Sequence, residues 1–452
     1  MKRMVNYDLE AWRRSSKRKP LILRGARQVG KTHAVRVLGK KYRYFLEINF
    51  EKKPEIIHFF EKDLDPKRIV NTLIATLGAT IIPGETLLFF DEIQMCPKAL
   101  TALRYFYEDM PDLDVIAAGS LLDFAIEQVG VPVGRVSFCY VYPLSFMEYL
   151  VASKHAQLLE IILNQSIHQP MDEIIHQKLL DLLGEYTLLG GMPEVVNEWV
   201  AQRDLSPCIA LQNMMIDTYR QDFPKYARTL QIKYVEQLFN EVPSMISEPF
   251  KFSKISGDYK KRELEPALHL LMKAGIIHQV LQCSGAGIPL GAVADHKRYK
   301  LLFLDTGLTQ AILGLDTHEW LLNPTRAFIN KCALTEALVG QELLCYAQGY
   351  KKPSLYYWHR EARGSTAELD YLIQLGNHII PIETKSKQSS SLKSLHMFLK
   401  EHEQSSPYGI RFSTHNYSIY EKLHSYPLYA IAGLLAQHSE TLGKRLLSLL
   451  EP

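Results

Sequence analysis

No pair of cysteines in this chain stands at metal-ligand spacing. Its 452 residues hold six cysteines, at positions 96, 139, 208, 283, 332 and 345, with no CxxC and no Cys/His cluster. That excludes a zinc-finger reading, and six cysteines are too sparse for a secreted disulfide framework. No apolar run reaches the ~18 residues a membrane span needs. The opening MKRMVNYDLEAWRRSSKRKP has no apolar stretch ahead of its charges, so a secretory signal is not expected and the cytoplasm is. There is little net charge, +3, which argues neither for nor against nucleic acid. The early cluster Arg13, Arg14, Lys17, Arg18 and Lys19 reads as a solvated helix face. Internal repeats and long low-complexity tracts are also missing.

The composition is otherwise that of folded domains, with 47% hydrophobic and 22% charged residues. The length suggests about three domains. The first part alternates short apolar runs with helical patterns. Pro20–Leu23 leads into a glycine-rich turn, Tyr44–Asn49 reads as a strand, and Leu87–Phe90 and Val115–Ala118 read as buried parallel strands. This order predicts an α/β fold with a parallel sheet. From about 144 to 231 the pattern is helical, broken by paired glycines and a proline over 184–194. An amphipathic helix over Leu264–Ala274 precedes strands Ile276–Leu281 and Lys300–Leu304. Beyond about 321, a helix over Leu334–Tyr346 precedes strands Leu355–Trp358, Glu368–Leu375 and His378–Thr384, the last two joined at Gly376-Asn377.

Gly25-Ala26-Arg27-Gln28-Val29-Gly30-Lys31-Thr32 fits GxxxxGK[ST] in full, between a strand and a helix that His33 continues. The glycines let the loop curl so that backbone N–H groups face phosphate oxygens, and the helix N-terminus favours the same charge. Lys31 is expected on the β- and γ-phosphates and the Thr32 hydroxyl on Mg²⁺. Asp91 and Glu92 end an apolar strand at the sheet edge where α/β folds bind ligands. Asp91 is expected to support the metal and Glu92 to orient or deprotonate a water, which favours hydrolysis over binding alone. Ser120 follows the next strand and reads either as a sensor of the terminal phosphate or as a helix N-cap. Arg135 reads either as an arginine finger, in its own or a neighbouring subunit, or as a surface residue. No acceptor-site pattern supports a small-molecule kinase.

A second constellation stands in the tail. Asp370 lies in one strand, and Glu383 and Lys385, two apart and so on one face, lie in the next. A hairpin places them together, where Asp370 and Glu383 are candidates to hold Mg²⁺ and Lys385 to activate a water. Glu336 is the first candidate for a helical glutamate completing the set, Glu342 the second. The alternative is a solvent-facing hairpin.

The string Leu23–Thr32 resembles the P-loop of a group of prokaryotic AAA-type ATPases. So do Asp91–Gln94, Ala118–Ser120, Gly134-Arg135, Tyr142–Tyr149, Gly190–Pro193 and Leu304–Leu308. The resemblance runs collinearly over nearly the whole chain. It implies ATP rather than GTP, and three domains: an AAA-type ATPase over 1–205 (core 1–150, helical lid 151–205), a winged-helix-like region over 206–320, and a restriction-endonuclease-like domain over 321–452. The tail constellation then resembles the D…(D/E)xK motif of those nucleases, although such domains also serve as nucleic-acid or protein docking modules. Lys254, Lys260, Lys261, Arg262, Lys297, Arg298 and Lys300 are candidates for phosphate contacts to DNA around the wing, or else a solvated surface. Arg360 and Arg363 are candidates to assist near the nuclease-like strands. Tyr219, Asp222 and Phe223 also belong to the resemblance, without an implied role. AAA-type proteins often assemble as rings with an arginine supplied across the interface, for which Arg135 is the candidate.

Overall fold

The computed structural model describes residues 1–130, 134–314, 332–362, 365–385 and 392–451. Arg363 lies outside these residues.

Helix α1 (Met4–Arg14) buries Met4, Val5 and Leu9 and leads to strand β1 (Leu21–Arg24). Then follow α2 (Lys31–Gly39), β2 (Tyr44–Asn49), α3 (Pro66–Leu77), β3 (Thr86–Asp91), α4 (Pro97–Asp109), β4 (Asp114–Ala118), α5 (Leu122–Val129) and β5 (Ser137–Tyr140). The five strands form one parallel sheet in the order β2-β3-β4-β1-β5. Every residue of β3 and β4 is buried, as strands covered by helices on both faces require. Both chemistry-bearing strands, β1 and β3, therefore deliver their C-terminal ends to one sheet edge.

Helices α6 (Phe146–Ala152), α7 (Ala156–Asn164), α8 (Glu173–Leu189) and α9 (Pro193–Gln202) form the helical layer that follows. The break expected from 184 onward is a single stop: α8 runs through Gly184 to Leu189 and ends at Gly190. One glycine costs a helix about 1 kcal/mol, and the buried Leu182, Leu183, Tyr186 and Leu188 outweigh it. Next come α10 (Leu205–Tyr226), α11 (Thr229–Glu241) and α12 (Lys261–Lys273), strands β6 (Ile277–Cys283) and β7 (Ala294–Phe303), and α13 (Thr306–Leu313).

The strands expected as a wing pair more widely than with each other. β6 and β7 form an antiparallel pair, but β6 also pairs in parallel with β8 (Leu355–Ala362). They are the edge of a mixed eight-stranded sheet shared with β9 (Ser365–Leu375), β10 (His378–Lys385), β11 (Gly409–Ser413), β12 (Ser418–Tyr420) and β13 (Leu423–Pro427). The sheet therefore crosses the boundary expected near 320. The hairpin through Gly376-Asn377 forms as expected, with His378 facing Leu375. The helix Cys332–Cys345 buries nearly its whole surface, including Glu336, Gln341 and Glu342, between this sheet and the parallel-sheet half. One apolar core runs from Met4 and Leu9 through Leu144, Tyr186 and Leu271 to Leu338 and Leu434. A second core fills the opposite face of the parallel sheet around Phe50, Phe60, Phe90 and Phe106.

Candidate active site

Gly25 opens the loop with φ +148°, and a Cβ there would stand 2.1 Å from the Val141 carbonyl oxygen. Only glycine fits. Gly30, in the left-handed region, starts α2, whose first turn carries no acid. The loop is held from outside by Arg3, whose Nη1 donates to the Val29 carbonyl at 3.1 Å and Nη2 to the Tyr142 carbonyl at 2.8 Å. The Arg3 Nε pairs with the buried Glu148 at 2.9 Å. No sequence signal pointed to Arg3, since its partners lie 26 to 145 residues away.

The Lys31 ammonium donates to the carbonyls of Gly25 at 2.9 Å and Ala26 at 2.8 Å, folded back on its own loop. Burial pushes its pKa down to about 8. The Thr32 hydroxyl lies 3.2 Å from Asp91 Oδ1, and the Asn49 amide donates to Asp91 Oδ2 at 3.0 Å. Burial, with Glu92 beside it, raises the Asp91 carboxyl above its ordinary range. Asn49 faces Asp91 across the β2–β3 ladder. A polar amide closing an apolar strand was the one signal for it. Glu92 sits in the left-handed region at φ +51°, a conformation uncommon outside glycine that costs of order 1 kcal/mol or more. Gln94 donates to Glu92 Oε2 at 2.6 Å and so fixes the carboxylate's direction.

Ser120 lines, with Gly25, Ala26 and His278, a cavity of about 50 Å³ against the P-loop. It is not a helix N-cap: α5 is preceded by Leu121, with no side-chain cap. Arg135 is 45% exposed and pairs with Glu108 at 3.0 Å, an exposed pair worth little. Its recorded partner is thus on α4 rather than the loop of its own chain. His33 lies one residue beyond Thr32 on α2 and is exposed.

The matches to known families follow this geometry. Residues 17–150 match the family model described as AAA domain. Residues 17–150 therefore carry an AAA-type domain. Residues 180–319 match a Domain of unknown function (DUF8612), and residues 331–431 another, DUF4143. No curated protein matches. Among solved structures, the Walker-type ATPase of Pyrococcus abyssi is 16% identical, covering 68% of this chain and 94% of that one, with a TM-score of 0.44. The ORC1 protein of Aeropyrum pernix, solved in complex with DNA, is 13% identical, covering 70% and 91%, with a TM-score of 0.27. PCH-2 of C. elegans is 14% identical, covering 44% and 60%, with a TM-score of 0.22. At these scores the structural likenesses add nothing to the family match.

An AAA domain uses ATP, ordinarily with Mg²⁺, and the residues fit both. Thr32 and Asp91 converge as a hydroxyl and a carboxylate on one point. The loop's curl and the α2 N-terminus supply N–H groups beside the buried Lys31.

The tail constellation assembles differently from expectation. Ile382 faces Tyr371, which sets Glu383 beside Asp370. Asp370 Oδ2 accepts from the Thr384 N–H at 2.6 Å and hydroxyl at 2.5 Å. Lys385 pairs with Glu383 Oε1 at 2.5 Å, while Glu383 Oε2 is buried without a partner. Burial, and Asp370 alongside, push the Glu383 carboxyl up to about 7. Glu336 stands in the field of Asp370 but makes its ion pair elsewhere. Its carboxylate is taken by Lys300 at 2.9 Å, and Lys300 also reaches Glu368 at 2.6 Å. Lys300 is therefore no surface wing lysine; it is 1% exposed and stacks over Tyr357. Burial opposes its charge, but Glu336, Asp370 and Glu368 outweigh that and hold it protonated. Glu342 serves elsewhere, accepting from the Phe146 N–H at 3.0 Å at the start of α6. The donor set is thus short of a metal cage. Among the described residues no cluster of three or more His, Cys, Asp or Glu could hold a metal.

Several basic residues expected on DNA, and Arg360 near the nuclease-like strands, have acidic partners. Lys261 lies 3.4 Å from Glu265, Arg298 3.8 Å from Asp295, and Arg360 3.2 Å from Glu401, while Lys254 pairs with Glu248. Among the described residues no helix is long and apolar enough to cross a membrane.

Proposed function

We propose that the chain is a Mg²⁺-dependent ATPase whose nucleotide state governs its C-terminal domain. The observation that carries the catalytic half is the convergence of Thr32 and Asp91, 3.2 Å apart, below a loop closed by a buried Lys31. Thr32 and Asp91 would hold Mg²⁺, which would supply positive charge against the phosphates. Lys31 exchanges its two loop carbonyls for phosphate oxygens. Glu92, aimed by Gln94, orients or deprotonates the attacking water. Ser120 monitors the terminal phosphate, and His33 belongs to the phosphate-binding turn. Arg135, exposed and weakly held, acts as a finger on a second copy's site, which makes the working form an oligomer.

The coupling half rests on direct contacts between described residues of the two parts. Tyr140 N–H donates to the Gly349 carbonyl at 2.7 Å, and Glu342 caps α6. Two readings of the tail remain distinct. In one, Asp370, Glu383 and Lys385 cleave DNA. In the other, the domain recognises a nucleic acid or protein partner without cutting it. The internal pairing of Glu336 with Lys300 favours the second.

ATPase and nuclease assays on one purified sample, with and without DNA, decide between them. ATP turnover without nicking, unchanged in Asp370→Ala, supports a docking module. Mg²⁺-dependent nicking lost in Asp370→Ala and Lys385→Ala supports a nuclease. Absence of ATP turnover sinks the main proposal.

A further inference from the structure

Helix α10 grips a single P-loop residue at both ends. The Tyr219 hydroxyl donates to the Arg27 carbonyl at 2.7 Å, and the Arg27 guanidinium pairs with Asp222 Oδ2 at 2.5 Å. Positions three apart share a helix face, so one face of α10 presents both groups. Tyr219 and Asp222 are 4% and 6% exposed, which marks them as built contacts rather than surface pairs. Lys225, one turn on, lies 3.1 Å from Asp222. The next loop residue, Gln28, is held in the left-handed region at φ +65°. Arg27 also stands in the field of Glu92, the candidate hydrolytic carboxylate. The same helix holds the lid, since the Gln212 amide donates to the Leu189 carbonyl at 3.0 Å.

We propose that Tyr219 and Asp222 are positioning residues that hold Arg27 off the nucleotide, so that a nucleoside triphosphate must compete with Asp222 for the guanidinium and thereby loosens α10. The proposal rests on the reading of this loop as a triphosphate site. A guanidinium fork matches phosphate as well as carboxylate, so the exchange replaces the single contact to Asp222 by a phosphate contact of equal or better fit. A ligand shifts such an equilibrium only by its differential affinity for the two states. The terminal phosphate is the group that faces Glu92, so a triphosphate drives the exchange and a diphosphate does not. The middle segment thereby senses which nucleotide is present.

The test is calorimetric titration of the full chain with Mg²⁺ and either ATPγS or ADP. Asp222→Asn is expected to tighten ATPγS about fivefold or more, within the ordinary range of coupling energies, and to leave ADP within about twofold. In an Arg27→Met background, Asp222→Asn is expected to change neither. Tyr219→Phe, which frees the loop's backbone, weakens both. A merely structural contact instead makes Asp222→Asn lose both nucleotides together with thermal stability. That result, or ATPγS affinity unchanged by Asp222→Asn, overturns the proposal. Should Asp222→Asn fail to fold, hydrogen exchange on the unmodified chain decides: residues 215–226 should exchange faster with ATPγS than with ADP, and equal or slower exchange overturns it. A wild type that binds no nucleotide sinks the site reading as well; nucleotide binding indifferent to Asp222 sinks only this one.

Discussion

Replacing Lys300 by methionine removes the one cation that Glu336 and Glu368 share. Lys300 reaches them at 2.9 and 2.6 Å while 1% exposed, and Glu336 is itself 8% exposed. Methionine matches the length of the stem and keeps the packing over Tyr357, so the change is chiefly one of charge. Stranding a buried carboxylate without its partner costs about 3–5 kcal/mol. Burial pushes the Glu336 carboxyl up, with Lys300 opposing, so without Lys300 it rises further. A carboxyl whose folded pKa exceeds its unfolded value binds more protons when folded. The variant's stability is therefore present in acid and lost as pH climbs above the unfolded value near 4.5.

Urea denaturation at pH 7.5 should show Lys300→Met less stable than the wild type by about 3 kcal/mol or more. The deficit should shrink at pH 5.5. Adding Glu336→Gln should recover about 1–3 kcal/mol, because a neutral amide beside methionine leaves no stranded charge. A Lys300→Met protein within about 1 kcal/mol of the wild type at pH 7.5, or one whose deficit grows in acid, refutes the view that this lysine is the site's resident cation.

Fluorescent-nucleotide titration should find no binding in Lys31→Ala and near-normal binding in Glu92→Gln, and phosphate release should find no turnover in either. Normal hydrolysis by Glu92→Gln removes that carboxylate from the water-activating role. Gly191→Ala places a Cβ 2.1 Å from the Leu144 carbonyl oxygen. Backbone cannot yield as a side-chain tip does, so destabilisation of about 3 kcal/mol is expected in denaturant melts, and a loss under about 1 kcal/mol counts against it. Burial raises Asp305 to about 6. Wild-type stability relative to Asp305→Asn should therefore fall by about 2 kcal/mol as pH rises from 4 to 6. A flat difference shows that Asp305 does not titrate in that window.

Phosphate chemistry was legible because it is local. Gly25 to Thr32 must be contiguous to wrap one anion, and Asp91-Glu92 must end a strand to reach it. The register that carries Asn49 to Asp91 is not local, nor is the reach of Arg3 to Val29 and Tyr142. Lys300 was misread for a physical reason. It lies in Lys297-Arg298-Tyr299-Lys300, where strand alternation says nothing about which end turns inward. β7 is exposed at Lys297 and Arg298 and buried from Lys300 on, because only its second half is covered by the helix Cys332–Cys345. The wider pairing of the wing strands was hidden for the same reason. β6 and β7 do form a ribbon, but the partner that makes it a sheet edge is β8, some 70 residues on.

The strings in the sequence that carry no acid–base chemistry turn out to meet one another. Leu144, from Tyr142–Tyr149, donates its N–H to the Gly191 carbonyl at 2.6 Å, and Gly191 N–H donates to Asp305 at 2.6 Å. Thr306 N–H then reaches the Gln341 side chain at 2.9 Å, on the same helix as Glu336 and Glu342. Four segments, from the parallel-sheet half, the helical layer after it, the middle and the tail, are joined by three buried hydrogen bonds in series. Each bond needs a small residue or a backbone group at one end, which is why glycines and an aspartate recur there without a catalytic duty. Pro193, two residues beyond Gly191, stands 3.6 Å from where a Cβ on Gly30 would be. The joint therefore abuts the N-terminus of α2. Any shift of the P-loop on nucleotide binding must either be absorbed at Pro193 or be passed to Asp305, and the close packing of a protein interior favours passage.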